Sequence, residues 1–144
     1  MLTCVIYPAP SARKESRFGY SIGCLTLATM ARQLGDVIFY DFSLENNPTQ
    51  AEKQMLGKLQ TAISPRVVVY FDSVPLHRSS NVGACRKLCA TIKMVVPRAQ
   101  VIACGPACMI SRQYEPFSDV TIVDEPEVSF ITVLNGKINS RCLT

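Results

Sequence analysis

The sequence predicts an α/β fold: a three-layer sandwich on a five-stranded parallel sheet in the flavodoxin-like (Rossmann-like) order 2-1-3-4-5. Short β-branched runs alternate with stretches of helical period along the whole chain. The run Arg66–Phe71 is almost continuously apolar, which is typical of a parallel strand covered on both faces. The 144 residues, 48% of them hydrophobic, suffice for one domain with a buried core. We assign that domain to residues 1–136 and expect a loose polar tail at 137–144.

Each predicted strand is a short apolar run bounded by turn or helix signals. The five runs lie at Leu2–Tyr7, Val37–Tyr40, Arg66–Phe71, Ala99–Cys104 and Asp119–Val123. Because crossovers between parallel strands are right-handed, this series leaves few topologies. In such sheets ligands bind outside the carboxyl ends of the strands, so the loops at that edge are where we expect function.

The predicted helices follow from apolar residues that recur at helical spacing. Met55, Leu56 and Leu59 form such a stripe, and Gly35 is a stop signal for the first helix. The predicted helices are Phe18–Leu34, Thr49–Thr61, Ser79–Val95, Ala107–Tyr114 and Pro126–Leu134.

Composition excludes several classes of function. Lys and Arg number 15 against 11 Asp and Glu, and no basic stripe with interleaved aromatics appears, which argues against nucleic acid as a partner. No apolar run approaches the roughly 18 residues of a membrane span. The first residues lack a charged leader and a long apolar stretch, and the seven cysteines are an odd number. We therefore expect a cytoplasmic protein with reduced thiols and an apolar surface for a partner or a large ligand.

The first loop, 8–17, contains neither a dinucleotide-binding nor a P-loop glycine motif. Ser11 and Ser16 are weak candidates for a flavin-phosphate loop, and an ordinary surface loop is the simpler interpretation. A receiver-type Mg²⁺ site is also excluded, because only Asp72 follows the third strand and no Lys closes the fifth.

His77, the only histidine, follows the third strand, where it could bind a metal or act as a base. Nothing supplies further ligands at zinc spacing, so an exposed loop histidine is the simpler interpretation.

The cysteines favour packing over chemistry. Cys85 and Cys89 lie four residues apart on one helix face, where free cysteine packs as a small hydrophobe. Cys104, Cys108 and Ser111 approximate a radical SAM iron–sulfur motif with one cysteine missing, which we treat as coincidence. A thiolate enzyme using Cys108 at a helix start remains a minor alternative.

Small and acidic residues mark the same predicted edge. Gly23 opens the first helix, and Gly105-Pro106 allows close backbone approach after the fourth strand. Glu125 and Glu127 start the last helix, where acids also simply suit the helix dipole.

In their order, these signals resemble the cobalamin-binding domain found at the N-terminus of many B12-dependent radical SAM enzymes. The resemblance runs from residue 2 to 136. The matching segments are Tyr7-Pro8, Tyr20–Gly35, Val37–Asp41, Val101–Pro106 and Val123–Glu127. Cys104 departs from the pattern, because it stands where the family has the first glycine of a Gly-Gly-Pro loop. The Asp-x-His-x-x-Gly cobalamin motif is also absent.

The resemblance implies a corrin held at the carboxyl edge of the sheet, with its nucleotide tail in a slot beside the sheet. The residues implied in cofactor binding are Tyr7, Pro8, Gly23, Asp72, Ser73, Val74, His77, Cys104, Gly105, Pro106, Glu125 and Glu127. His77 is the candidate axial ligand of cobalt, although it stands outside the family motif. Without a catalytic barrel or a complete Cys triad, the chain is not expected to perform radical SAM chemistry alone.

Two functions follow. The first is a cobalamin-binding module that presents a corrin to a partner protein or to a missing catalytic domain. The alternative is a flavodoxin-like interaction or scaffold module that no longer binds cobalamin.

Overall fold

The computed structural model describes residues 1–8, 21–71, 79–110, 113–137 and 142–143, with side chains for all of these except 79–82 and 142–143. Its centre is one sheet in the order β2-β1-β3-β4-β5-β6. The strands are β1 (Leu2–Tyr7), β2 (Asp36–Asp41), β3 (Arg66–Tyr70), β4 (Gln100–Cys104), β5 (Val120–Ile122) and β6 (Cys142–Leu143).

The first five strands are parallel in the order 2-1-3-4-5, which confirms the predicted topology. β6 is an addition that the sequence did not predict. It runs antiparallel to β5, with Thr121 opposite Leu143 and Ile122 opposite Cys142. The expectation of a wholly loose tail is therefore wrong for residues 142–143, because this pair closes the exposed edge of β5.

In the described part of the chain, four α-helices connect the parallel strands and a fifth follows β5: α1 (Ile22–Ala31), α2 (Pro48–Thr61), α3 (Ser79–Val95), α4 (Pro106–Ile110) and α5 (Pro126–Leu134). α1 begins with a cap, since the Cys24 amide donates to the Ser21 hydroxyl at 3.3 Å. α4 ends at Ile110, four residues before the predicted end. Beyond it the chain turns, and Tyr114 stacks on Phe71 with ring centroids 4.2 Å apart. Gln113 and Tyr114 form a turn, so the helix does not extend to its predicted end at Tyr114.

The alternation of side chains along the strands builds two cores. In β3, Val67 and Val69 face the layer of α2, α3 and α4, whereas Val68 and Tyr70 face α1 and α5. Every strand residue from Val67 to Tyr70 is therefore buried. This two-sided burial explains the continuous apolar run in the sequence.

Gly105 follows β4 at the carboxyl edge and packs against Phe71, the residue that follows β3. Its φ is +111°, and a Cβ there would overlap the Phe71 carbonyl oxygen and lie 2.9 Å from the Phe71 nitrogen. The Phe71 amide donates to the Cys104 carbonyl at 2.8 Å, and the Ala107 amide donates to the Phe71 carbonyl at 3.2 Å. Only glycine fits this corner without displacing the backbone of Phe71.

Gly105→Ala should lower the free energy of unfolding by about 1–3 kcal/mol, because it adds a strained backbone and a collision with Phe71. Gly57→Ala is the matched control, since nothing lies within 4 Å of a Cβ at that helical position. It should be neutral or stabilise the fold by about 0.5–1 kcal/mol. Urea denaturation followed by circular dichroism measures both. Equal stabilities of the two variants would contradict this account of the corner.

Candidate functional site

Eight of the predicted site residues lie in the described part of the chain, all at the carboxyl edge of the sheet. They are Tyr7, Pro8, Gly23, Cys104, Gly105, Pro106, Glu125 and Glu127. Parallel strands bring their ends together there, and the helices that follow them start there. Asp72, Ser73, Val74 and His77 lie outside the described residues, as do Ser11, Ser16 and Ser111. Their assigned roles stay predictions.

The contact between Tyr70 and Gly23 dominates the α1–α5 face of this edge. Tyr70 ends β3 and is only 6% exposed. A Cβ on Gly23 would overlap the Tyr70 hydroxyl, so α1 can lie this close only with glycine at position 23. The Tyr70 ring also stacks on Tyr7, with centroids 6.4 Å apart. Sequence reasoning singled out Gly23 but missed Tyr70, because nothing local links a strand residue to a helix so distant in the chain.

Cys104 points into the same layer as Tyr70 and is fully buried. Burial raises the pKa of its thiol well above the usual range, so the side chain is neutral. The thiol thus occupies space that a glycine at this position would leave open.

Gly105 permits a close approach, as predicted, but the approaching group is the backbone of Phe71. The absence of a side chain at Gly105 therefore allows the ends of β3 and β4 to pack closely. The backbone of Phe71 fills that space, so no ligand can contact Gly105 on that side. Pro106 is half-buried at the first position of α4.

The acidic start of α5 is open to solvent. Glu125 and Glu127 are exposed, and Glu127 lies in the first helical turn, where its charge complements the helix dipole. The Asp124 carboxylate accepts a hydrogen bond from the Glu125 amide at 2.7 Å.

Ser129 is a further polar residue at this edge that the sequence did not indicate. It belongs to the inner stripe of α5 with Phe130 and Val133, and its hydroxyl is buried without a hydrogen-bond partner among the described residues. Such an orphaned hydroxyl is uncommon in a packed core and marks a place where a polar group of a ligand or a water could bind.

The cysteines whose side chains are described are packing residues. Cys85 and Cys89 are 2% and 1% exposed, which confirms their predicted burial. Cys108 is 2% exposed, and burial raises the pKa of its thiol to about 12. Burial therefore argues against a Cys108 thiolate, because the short helix α4 offers little dipole stabilisation to offset desolvation.

No cluster of three or more metal-ligating side chains occurs within the described ranges. No helix in that part of the chain is long and apolar enough to cross a membrane.

The buried thiols should resist alkylation in the native protein. With a pKa of about 12, Cys108 carries on the order of a thousandfold less thiolate at pH 8 than a free cysteine does. We expect iodoacetamide to leave Cys108 unmodified in the folded protein and to modify it rapidly in urea. Mass spectrometry of the Cys142→Ser variant measures this without interference from the cysteine whose side chain is not described. Fast native labelling at Cys108 would restore the thiolate hypothesis.

Comparisons with known proteins identify a structural relative. No protein-family model and no curated protein matches the sequence. Among solved structures, the fold matches part of the radical S-adenosylmethionine methyltransferase TsrM from Kitasatospora setae, whose structure contains tryptophan substrate and the analogue aza-SAM. The TM-score is 0.66 at 16% identity, and the match covers 96% of this chain but 26% of that one. This chain therefore has the fold of about a quarter of that methyltransferase.

Proposed function

We propose that this chain is a cobalamin-binding module that presents a corrin at the carboxyl edge of its sheet to a partner catalytic protein. The observation that carries the proposal is the match of nearly the whole chain to one quarter of a radical SAM methyltransferase. The ordered motifs from Tyr7-Pro8 to Val123–Glu127 support the same family independently of that match. Cobalamin, when bound, supplies a cobalt centre for methyl transfer or radical chemistry.

The exposed apolar residues at this edge support a partner protein. Ile22 at the start of α1 is 83% exposed, Ile110 at the end of α4 is 70% exposed, and Val128 in α5 is 54% exposed. Contact with another protein would remove these large apolar side chains from water. We propose that the catalytic partner covers them.

The described residues fit cobalamin only in part. A nucleotide tail would need space between α1 and α5 on one side and β3 and β4 on the other. The orphaned Ser129 hydroxyl offers a polar contact on the α5 wall of that space. Tyr70 and Cys104 fill it from the strands, and the Tyr70 hydroxyl already meets Gly23. In this conformation the tail slot is closed, and a tail can enter only after the Tyr70 side chain has moved.

The same contact favours a second candidate function. If Tyr70 stays against Gly23, the edge keeps its exposed apolar residues but lacks the slot for a tail. The chain would then serve as an interaction module without cobalamin.

Titration with hydroxocobalamin and with cobinamide, which lacks the nucleotide tail, distinguishes the candidates by visible spectroscopy. We expect the wild type to bind both corrinoids. Tyr70→Leu should bind cobalamin at least about tenfold more tightly, a gain of about 1.4 kcal/mol, while its affinity for cobinamide stays unchanged. Tyr40→Leu is the control, because Tyr40 is equally buried but faces the opposite layer.

Failure of both corrinoids to bind folded wild type and folded Tyr70→Leu would refute the cobalamin proposal and leave the interaction module. Tighter binding of cobinamide alone would show that the tail slot stays closed and that only the corrin is recognised. His77→Ala belongs to the same series. An altered visible spectrum of the bound corrinoid would identify His77 as a cobalt ligand, and an unchanged spectrum would exclude that role.

A further inference from the structure

A cavity lies between α2 and α3, on the face of the sheet opposite Tyr70. It has a volume of about 170 Å³ and opens toward the carboxyl edge. Its floor consists of Pro8, Phe42 and Cys85, all buried. Apolar cavities of about 150 Å³ in other proteins bind benzene, so this volume suits a compact ligand with one ring.

The floor of this α2–α3 pocket is held in place by the turn that follows β2. The Phe42 amide donates to the Tyr7 carbonyl at 3.0 Å, which continues the pairing of β1 with β2. The Asp41 carboxylate accepts a hydrogen bond from the Ser43 amide at 3.0 Å and another from the Ser43 hydroxyl. The Phe42 ring stacks on Tyr40 with centroids 5.8 Å apart. The pocket is thus preformed, and a ligand does not have to order its floor.

The described lining of the pocket carries one negative charge. Among those residues Glu52 alone has a charged side chain, and no hydrogen bond or ion pair of this half-buried carboxylate occurs in the described ranges. Burial raises the pKa of the Cys85 thiol to about 12, so that side chain is neutral at pH 7. The half-buried Leu88 supplies a further apolar wall. Unpaired negative charge beside carbon surface favours a cation with an apolar body.

The start of α2 does not convert the pocket into an anion site. Pro48 at the first helical position has no amide hydrogen. The Gln50 amide donates to the Asn47 side chain at 3.2 Å, and the Ala51 amide donates to the Asn47 carbonyl at 3.1 Å. The helix therefore has few free donors with which to hold an anion.

We propose that the α2–α3 pocket binds a small apolar amine, with its apolar body over Phe42 and its protonated nitrogen on the Glu52 carboxylate. The pocket lies on the face opposite Tyr70 and Gly23, and among its described lining residues it shares only Pro8 with the residues implied in cobalamin binding. An ammonium group that donates to a partly desolvated carboxylate also gains the attraction between opposite charges, which a neutral isostere does not.

Benzylamine is the probe, with benzyl alcohol as its neutral analogue and benzoate as its anionic one, at pH 7. Chemical-shift titration by NMR measures affinity and location together. We expect benzylamine to shift Phe42 and Leu88 signals in a saturable way and to bind at least about tenfold more tightly than benzyl alcohol. Benzoate should bind more weakly than either.

Two variants and one control complete the test. Glu52→Gln should remove the preference for benzylamine over benzyl alcohol, whereas the exposed Glu45, which is not part of the lining, should tolerate Glu45→Gln without effect. Ala84→Leu at the exposed rim should weaken both ligands by filling the entrance. The proposal is overturned by absence of saturable binding, by equal affinity for amine and alcohol in the wild type, or by shifts confined to other residues.

Discussion

The burial of both faces of a parallel sheet is the constraint on which this structure depends. β1, β3 and β4 bond to neighbours on both edges and are covered by helices above and below. Their interiors must therefore be apolar, and polar chemistry is left to the strand ends. This is why the candidate residues gather at one edge of the molecule, and why cysteines such as Cys4 and Cys89 act as core side chains despite their reactive chemistry.

The two helical layers differ in how closely they pack against the sheet. On the α1–α5 side, glycine and other small residues let α1 approach the sheet until Gly23 meets the Tyr70 hydroxyl. On the α2–α3 side, a cavity remains above Phe42, between Glu52 of α2 and Leu88 of α3. Close packing near Tyr70 closes the slot that a nucleotide tail would use. Looser packing near Phe42 leaves room for a compact ligand.

The carboxyl edge combines features that suit a domain working inside a larger assembly. Three large apolar side chains are exposed at the same edge as the acidic start of α5, namely those of Ile22, Ile110 and Val128. Burying these residues against another protein would remove apolar surface from water and shield whatever lies at the edge from solvent.

The sequence by itself determined the parallel topology, the bounds of β1, α3 and α5, and the burial of Cys85 and Cys89, because these depend on local periodicity. Tertiary structure alone decided four other features: the early end of α4, the pairing of β6, the neutrality of the Cys108 thiol and the contact between Tyr70 and Gly23. Each of these features depends on contacts between residues that are distant in the sequence. Tyr114 stacks on Phe71, β6 pairs with the edge of β5, and burial in the core desolvates the Cys108 thiol. Short-range sequence patterns do not encode contacts between residues that are distant in the chain. The residues that close or open the candidate site are therefore identified only from the tertiary structure.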